Sequence, residues 1–236
     1  MKNILMLCSW FPNKVFPTNG NFIEKHIRLL QGRYLIQILN VEHDPALRFF
    51  EIRRETSITG TISTHLVYAN FSNIKVIRNL GRILLMIYYT LTLYKKHRFS
   101  LIHVHIAMPG VLAALFLKWL HGIPIVLSVH SSGFLDIDPK QYSKSLRKLL
   151  VWAANQTSRV CPVSEALATA WIANGLKAPV TIIPNTVNVQ IFSPKPKDFQ
   201  KDAPIKLLHI SNFHAASKNI RGLLGALLIL QKRASF

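Results

Sequence analysis

One stretch of the chain, Leu101–Gly133 (LIHVHIAMPGVLAALFLKWLHGIPIVLSVHSSG), restricts the fold more than any other. Leu101, Ile102, Val104 and Ile106 read as a strand that Pro109 and Gly110 end. Val111 to Leu120 is an apolar segment long enough to be a helix covering a sheet, and Ile123 to Val129 reads as a second buried strand. Two β-rich runs joined by a helix predict a right-handed βαβ crossover, so the strands are parallel and their carboxyl ends share one edge. Open α/β sheets bind ligands at that edge. His130-Ser131-Ser132-Gly133 follows the second strand there, a polar loop at the mouth of an apolar unit.

The same alternation runs through most of the chain. Ile4 to Leu7 predicts a first strand, followed by the loop Ser9–Gly20 and a helix from about Asn21 with Ile23, Ile27 and Leu30 on one face. Gly20 at that helix start leaves backbone N–H groups uncovered, a place for a phosphate or a sugar hydroxyl as well as for an ordinary βα turn. Tyr34 to Val41 and Thr61 to Tyr68 predict further strands, while the charged segment before Thr61, with Arg48, Arg53 and Arg54, has no readable period. Ile74–Lys96 predicts a long helix, read as a core helix because no wholly polar face is visible, with contact to an anionic membrane as the alternative. A basic helix over Tyr142–Ala154, a strand at Arg159–Ser164, a helix capped by Ser164 and a strand at Val180–Ile183 come next. Pro184-Asn185-Thr186-Val187-Asn188 then forms another polar loop at a strand end.

Ser193–Pro204 (SPKPKDFQKDAP) breaks the pattern and predicts a linker. The expected organisation is a domain over 1–192, a linker over 193–204, and over 205–236 the first β-α unit of a second Rossmann-like domain: strand Ile205–Ile210, loop Ser211–Ser217, helix Lys218–Lys232. The fold class expected is α/β with a Rossmann-like parallel sheet.

Charge and cysteine content narrow the chemistry. The formal net charge is +19, which favours anionic partners such as nucleotide diphosphates, nucleic acid or an acidic membrane surface. Cys8 and Cys161 both fall in strand-like runs and suit a reduced, cytosolic protein. The N-terminus is too short for a signal-peptide core, and the longest apolar run, Ile83–Tyr94, has about a dozen residues where a spanning helix needs about twenty. No transmembrane segment is expected.

Four segments, Ser9-Trp10-Phe11-Pro12 through Asn21-Phe22, His103-Val104-His105, Val129–Ser132, and Ile183–Asn188 with Phe192-Ser193-Pro194, recur in order, and Leu208–Phe213 with Lys218 follows the linker. Together they resemble the retaining GT-B glycosyltransferases of family 4. The resemblance implies two Rossmann-like domains across a cleft, a nucleotide-diphosphate sugar as donor substrate, no cofactor and no metal, and a glycan or lipid-linked acceptor hydroxyl. It assigns His130 to the transferred sugar near the reacting carbon as the catalytic residue, the Gly20 backbone to the donor diphosphate, and Lys218 to neutralising that diphosphate. Asn21, Ser131, Ser164, Asn185 and Asn212 are counted with them as donor- or substrate-binding residues. Ser211-Asn212 stands where the family often has Gly-Arg and Lys218-Asn219 where it often has Lys-Gly, which puts one cation of the phosphate site in question. The family's paired glutamates fall beyond Phe236, so the chain is expected to be a truncated member. A non-catalytic acceptor-domain remnant is the alternative. A cytoplasmic location, peripheral to the inner membrane face, is expected.

Other readings weigh less. His103 and His105 share a strand face, yet no third metal ligand is evident, so a structural role is expected. Asp136 and Asp138 sit two apart in a loop and read as solvated or capping, and Glu165 as helix N-terminal charge. No G-x-G-x-x-G follows the first strand, which argues against a nicotinamide oxidoreductase. The scattered lysines and arginines match no nucleic-acid module, so no nucleic-acid partner is expected.

Overall fold

The computed structural model describes residues 1–135, 142–194, 207–211 and 218–233. Seven strands form one sheet: β1 (Asn3–Cys8), β2 (Leu35–His43), β3 (Ile52–Thr59), β4 (Ile62–Ala69), β5 (Leu101–His105), β6 (Ile125–Val129) and β7 (Arg159–Pro162). Their order is β3-β4-β2-β1-β5-β6-β7, parallel throughout except for the edge strand β3. The helices α1 (Asn21–Arg28), α2 (Lys75–His97), α3 (Gly110–His121), α4 (Lys144–Asn155) and α5 (Glu165–Ala173) connect them, and α6 spans Ile220–Arg233.

Two apolar layers hold the sheet. Leu5, Leu7, Val104, Ile102, Leu127 and Val160 point to one face, where α2 to α5 cover them. Ile4, Met6, Ile36 and Ile38 point to the other and meet Ile23 and Ile27 of α1. Successive strand residues face opposite sides, so these near-continuous runs fill both layers, as a parallel sheet buried on two faces requires. Phe134 stacks on the buried Trp171 at 4.1 Å and ties the loop after β6 to α5.

The expected strands and helices appear within two residues of their predicted limits, with three differences. The unreadable charged segment is β3, paired antiparallel with β4 across a turn at Gly60, whose φ is +59°. Val180 to Ile183 is held beside β7 by Thr181 N–H to the Val160 carbonyl and Ile183 N–H to the Pro162 carbonyl, a single bridge rather than a full strand. Residues 207–210 of the strand expected at Ile205–Ile210 are not in a strand. A strand needs a neighbouring strand for its backbone ladder, and no strand pairing is formed by 207–210 among the described residues. Asp136 and Asp138 and most of the expected linker lie outside the described residues.

By length and composition α2 is long and apolar enough to cross a membrane, because the helix extends well past the uninterrupted apolar run. Its inner face, however, carries Met86, Thr90 and Leu93 into the protein interior.

Candidate functional site

The sheet order reverses direction at β1: β2 lies on one side and β5 on the other. In a doubly wound sheet the connections then leave to opposite faces, and a crevice opens above the strand ends. Ser9 marks this point by donating its N–H to the His105 carbonyl at 3.2 Å and its Oγ–H to the Ile106 carbonyl at 2.8 Å. Ile106 itself has φ +64°, a left-handed conformation that costs a β-branched residue about 1–2 kcal/mol. Its N–H donates to the Ser128 carbonyl at 3.0 Å, so contacts from β6 and from Ser9, just past β1, hold it there.

The loop after β1 is built to deliver Gly20 to this crevice. Asn13 Oδ1 accepts the N–H groups of Val15 and Phe16, each at 2.9 Å, closing a tight turn. Lys14 pairs with Asp44 at 3.3 Å and lies over the Tyr68 ring, pinning the loop to the strand ends. Gly20 has φ +70°, and a Cβ there would lie 2.6 Å from the Trp10 carbonyl carbon and oxygen. No other residue fits without moving that backbone. The Gly20 carbonyl accepts from Ile23 and Glu24, so α1 starts at Asn21, and its first amides have no side-chain cap.

Two residues into α1, Phe22 packs on His130, ring centroids 4.8 Å apart, and one turn later His26 meets the same imidazole edge-on at 5.8 Å. His105 lies behind, its Nδ1 3.4 Å from His130 Nε2. It stacks on His103 at 4.1 Å, and His103 Nε2 is 2.8 Å from Ser128 Oγ. Asn185, in the chain beyond β7, lies close enough to His130 to act on its proton affinity. Gly20, Asn21, His130, Ser131 and Asn185 therefore converge on one region, although they span most of the domain.

The electrostatics follow from burial. Desolvation pushes the His130 imidazole down to about 4, with the His26 charge adding to the shift and the Asn185 hydrogen bond opposing it. Burial likewise brings His103 to about 4 and takes His105 well below the usual histidine range, each reinforced by its neighbours. His26 is lowered by burial too. His103, His105 and His130 are neutral imidazoles at pH 7, able to donate and accept hydrogen bonds but carrying no charge. Among the described residues no group of three or more histidine, cysteine or acidic side chains is arranged to hold a metal ion.

Ser131 Oγ accepts from Gly133 N–H and from the Tyr142 hydroxyl at 3.0 Å, which fixes the loop after His130. Ser164 accepts from Leu167 N–H and caps α5, so its oxygen is engaged within the fold. Lys218 is exposed two residues before α6 and has no hydrogen bond or ion pair among the described residues, and Asn212 lies outside them.

Next to the switch point is a cavity of about 650 Å³ bordered by Ser9, Trp10, Asn19, His43, Arg78 and Arg82. Arg82 donates from Nε and Nη2 to the Val41 carbonyl and lies 3.5 Å from the buried Glu42 carboxylate. Sequence reasoning missed this part. Arg82 reads as one of several helix-end cations, and nothing in the order of residues brings it to the end of β2. His26 could have been found, because Phe22 and His26 are four apart and share a helix face.

Strand order, crossovers and the crevice at the reversal make this a Rossmann-like α/β domain of the GT-B type. A family model described as Glycosyltransferase Family 4 matches residues 47–191, well over half of the chain, and the chain belongs to that family. Sucrose-phosphate synthase from Thermosynechococcus elongatus has a similar fold, with TM-score 0.60 and 12% identity over 82% of this chain and 51% of that one. The Escherichia coli trehalose-6-phosphate structure bound with UDP-2-fluoro glucose matches with TM-score 0.52 and 10% identity, over 80% of this chain and 50% of that one. Such identities establish the fold alone. The chain spans about half the length of these proteins. No curated protein matches it.

Proposed function

We propose that the chain carries the acceptor-side half of a retaining glycosyltransferase, one that moves a sugar from a nucleotide-diphosphate donor to a hydroxyl of a glycan or lipid-linked acceptor. The observation that carries this reading is the meeting of the α1 start, His130 and Asn185 at the sheet reversal. A neutral, buried imidazole suits hydrogen bonding to a sugar hydroxyl, where a charged one would compete with the positive character developing at the anomeric carbon. Amides at the start of α1 suit the diphosphate, whose charge grows as the bond breaks. The leaving group is expected to be stabilised as an anion, with Lys218 as a candidate counter-charge. The cavity beside Arg78 and Arg82 is the candidate acceptor pocket, and the reaction is placed in the cytoplasm, where nucleotide sugars are made.

The test is calorimetric titration of UDP-, ADP- and GDP-sugars into the purified chain, with transfer of labelled sugar to glycan acceptors measured alongside. Saturable binding that His130→Ala weakens at least tenfold, with thermal stability kept, supports the assignment. A wild-type chain that binds no nucleotide sugar refutes donor handling by this polypeptide.

A further inference from the structure

The outward stripe of α2 is apolar where a surface helix ordinarily carries charge. Ile77, Leu80, Leu84 and Tyr88 follow one another at helical spacing and all are exposed, Leu84 by 58% and Tyr88 by 61%. With Phe71 and Phe50 they line an open groove of about 440 Å³ that is almost wholly apolar. Phe50 is 67% exposed and pairs with the equally exposed Phe49. Its φ of +61° is unfavourable for an aromatic residue, and the turn is held in place by Phe50 N–H to the Asn70 carbonyl at 2.7 Å and by Asn70 Nδ2 to the Leu47 carbonyl. Two rings are thus displayed beside the helix by a turn whose backbone is fixed.

The charge on α2 has one sign. The helix contains no acidic residue, begins with Lys75 and Arg78, and ends with Lys95, Lys96 and His97. Lys75, Arg78 and Lys95 make no ion pair among the described residues, whereas the nearby acids Glu42 and Glu51 are already engaged by Arg82 and Arg53. A second copy of the chain seated on this face would bring like-charged ends together across a symmetric contact, on a protein whose formal net charge is +19. An anionic lipid surface meets both properties, since apolar side chains enter the acyl boundary while lysine and arginine stay at the headgroups.

We propose that the protein docks on anionic bilayers through the outer face of α2 and the Phe49–Phe50 turn, with the helix lying in the interface and its inner face still packed on the sheet. This goes beyond sugar transfer and does not depend on it. The turn and the start of α2 both belong to the carboxyl edge of the sheet that carries His130, so docking would hold the crevice next to the headgroup layer.

The test is co-sedimentation of the full chain with vesicles of phosphatidylcholine alone and of phosphatidylcholine with about one part in three phosphatidylglycerol. Binding is expected to the anionic vesicles only. Leu84→Glu with Tyr88→Glu should weaken it by about tenfold or more, and Lys75→Glu by about fivefold. Circular dichroism and size-exclusion chromatography of each variant report folding and assembly. Wild-type protein indifferent to anionic lipid overturns the proposal. So does binding that the folded double variant retains, or a wild-type dimer that this variant dissolves.

Discussion

Acidification is the perturbation that the histidine cluster should feel most. His103 and His130 are held at about 4 by burial, against about 6.5 in an unfolded chain. Their folded affinity for protons is lowered, so the unfolded state binds more protons and stability falls as pH drops from 6.5 towards 4. At pH 5 the unfolded imidazoles are almost fully charged and the folded ones almost neutral. Each site then costs about 2 kcal/mol relative to pH 8. The two rings repel each other when charged, so the pair together is worth about 2 to 4 kcal/mol. For a protein of this size that corresponds to a melting temperature lower by about 5–15 °C. Glu51 is held below the ordinary carboxylate range by the Arg48 amide and the Arg53 side chain. His65, also brought to about 4 by burial and by nearby His97, Arg54 and Lys96, titrates within the same window as the cluster but lies apart from it on β4. The assay is therefore thermal unfolding from pH 8 to pH 5 for the wild type beside His103→Gln/His130→Gln. The wild type should lose stability more steeply, by the cluster's share. Parallel pH profiles for the two proteins would refute the claim that these imidazoles are buried and neutral.

Two substitutions probe the backbone and charge that shape the crevice. Gly20→Ala should cost about 1–2 kcal/mol for the left-handed φ alone, and more because the new Cβ displaces the Trp10 carbonyl; urea unfolding as stable as wild type would show that the turn is not fixed as described. Arg82→Met leaves the Glu42 carboxylate buried without its partner and should cost about 3 kcal/mol; adding Glu42→Gln should recover most of it. Additive losses in that cycle would mean the two residues do not interact.

The fold was legible because burial leaves a period in the sequence. Leu5, Leu7, Ile102, Val104 and Leu127 sit between two covered faces, so β1, β5 and β6 read as short apolar runs separated by helices. Strand β3 was not legible for the same reason. Ile52 to Thr59 is exposed along its length, and what makes it a strand is pairing with β4 rather than any pattern of its own. The reading of α2 as a core helix holds for one of its sides. Apolar residues nearly all round a helix look like a core helix, and only the packing of Met86, Thr90 and Leu93 separates the covered side from the one left open.

The site was legible only where a strand ends. His130, Ser131 and Asn185 stand just beyond apolar runs, and a parallel sheet sends every such end to one edge, so position marks them as candidates while the family resemblance supplies their roles. Arg82, Ile106 and His26 reach the same crevice by other means: a long side chain crossing from a helix, a strained backbone held from two strands, and a second turn of helix. These depend on distances between elements far apart in the chain, which periodicity does not encode. The division has a physical consequence. Residues selected by topology can be exchanged while the sheet persists, so His130→Ala should disturb binding more than folding. Arg82 and Gly20 are built into the packing itself, and there the loss of function and the loss of stability should move together.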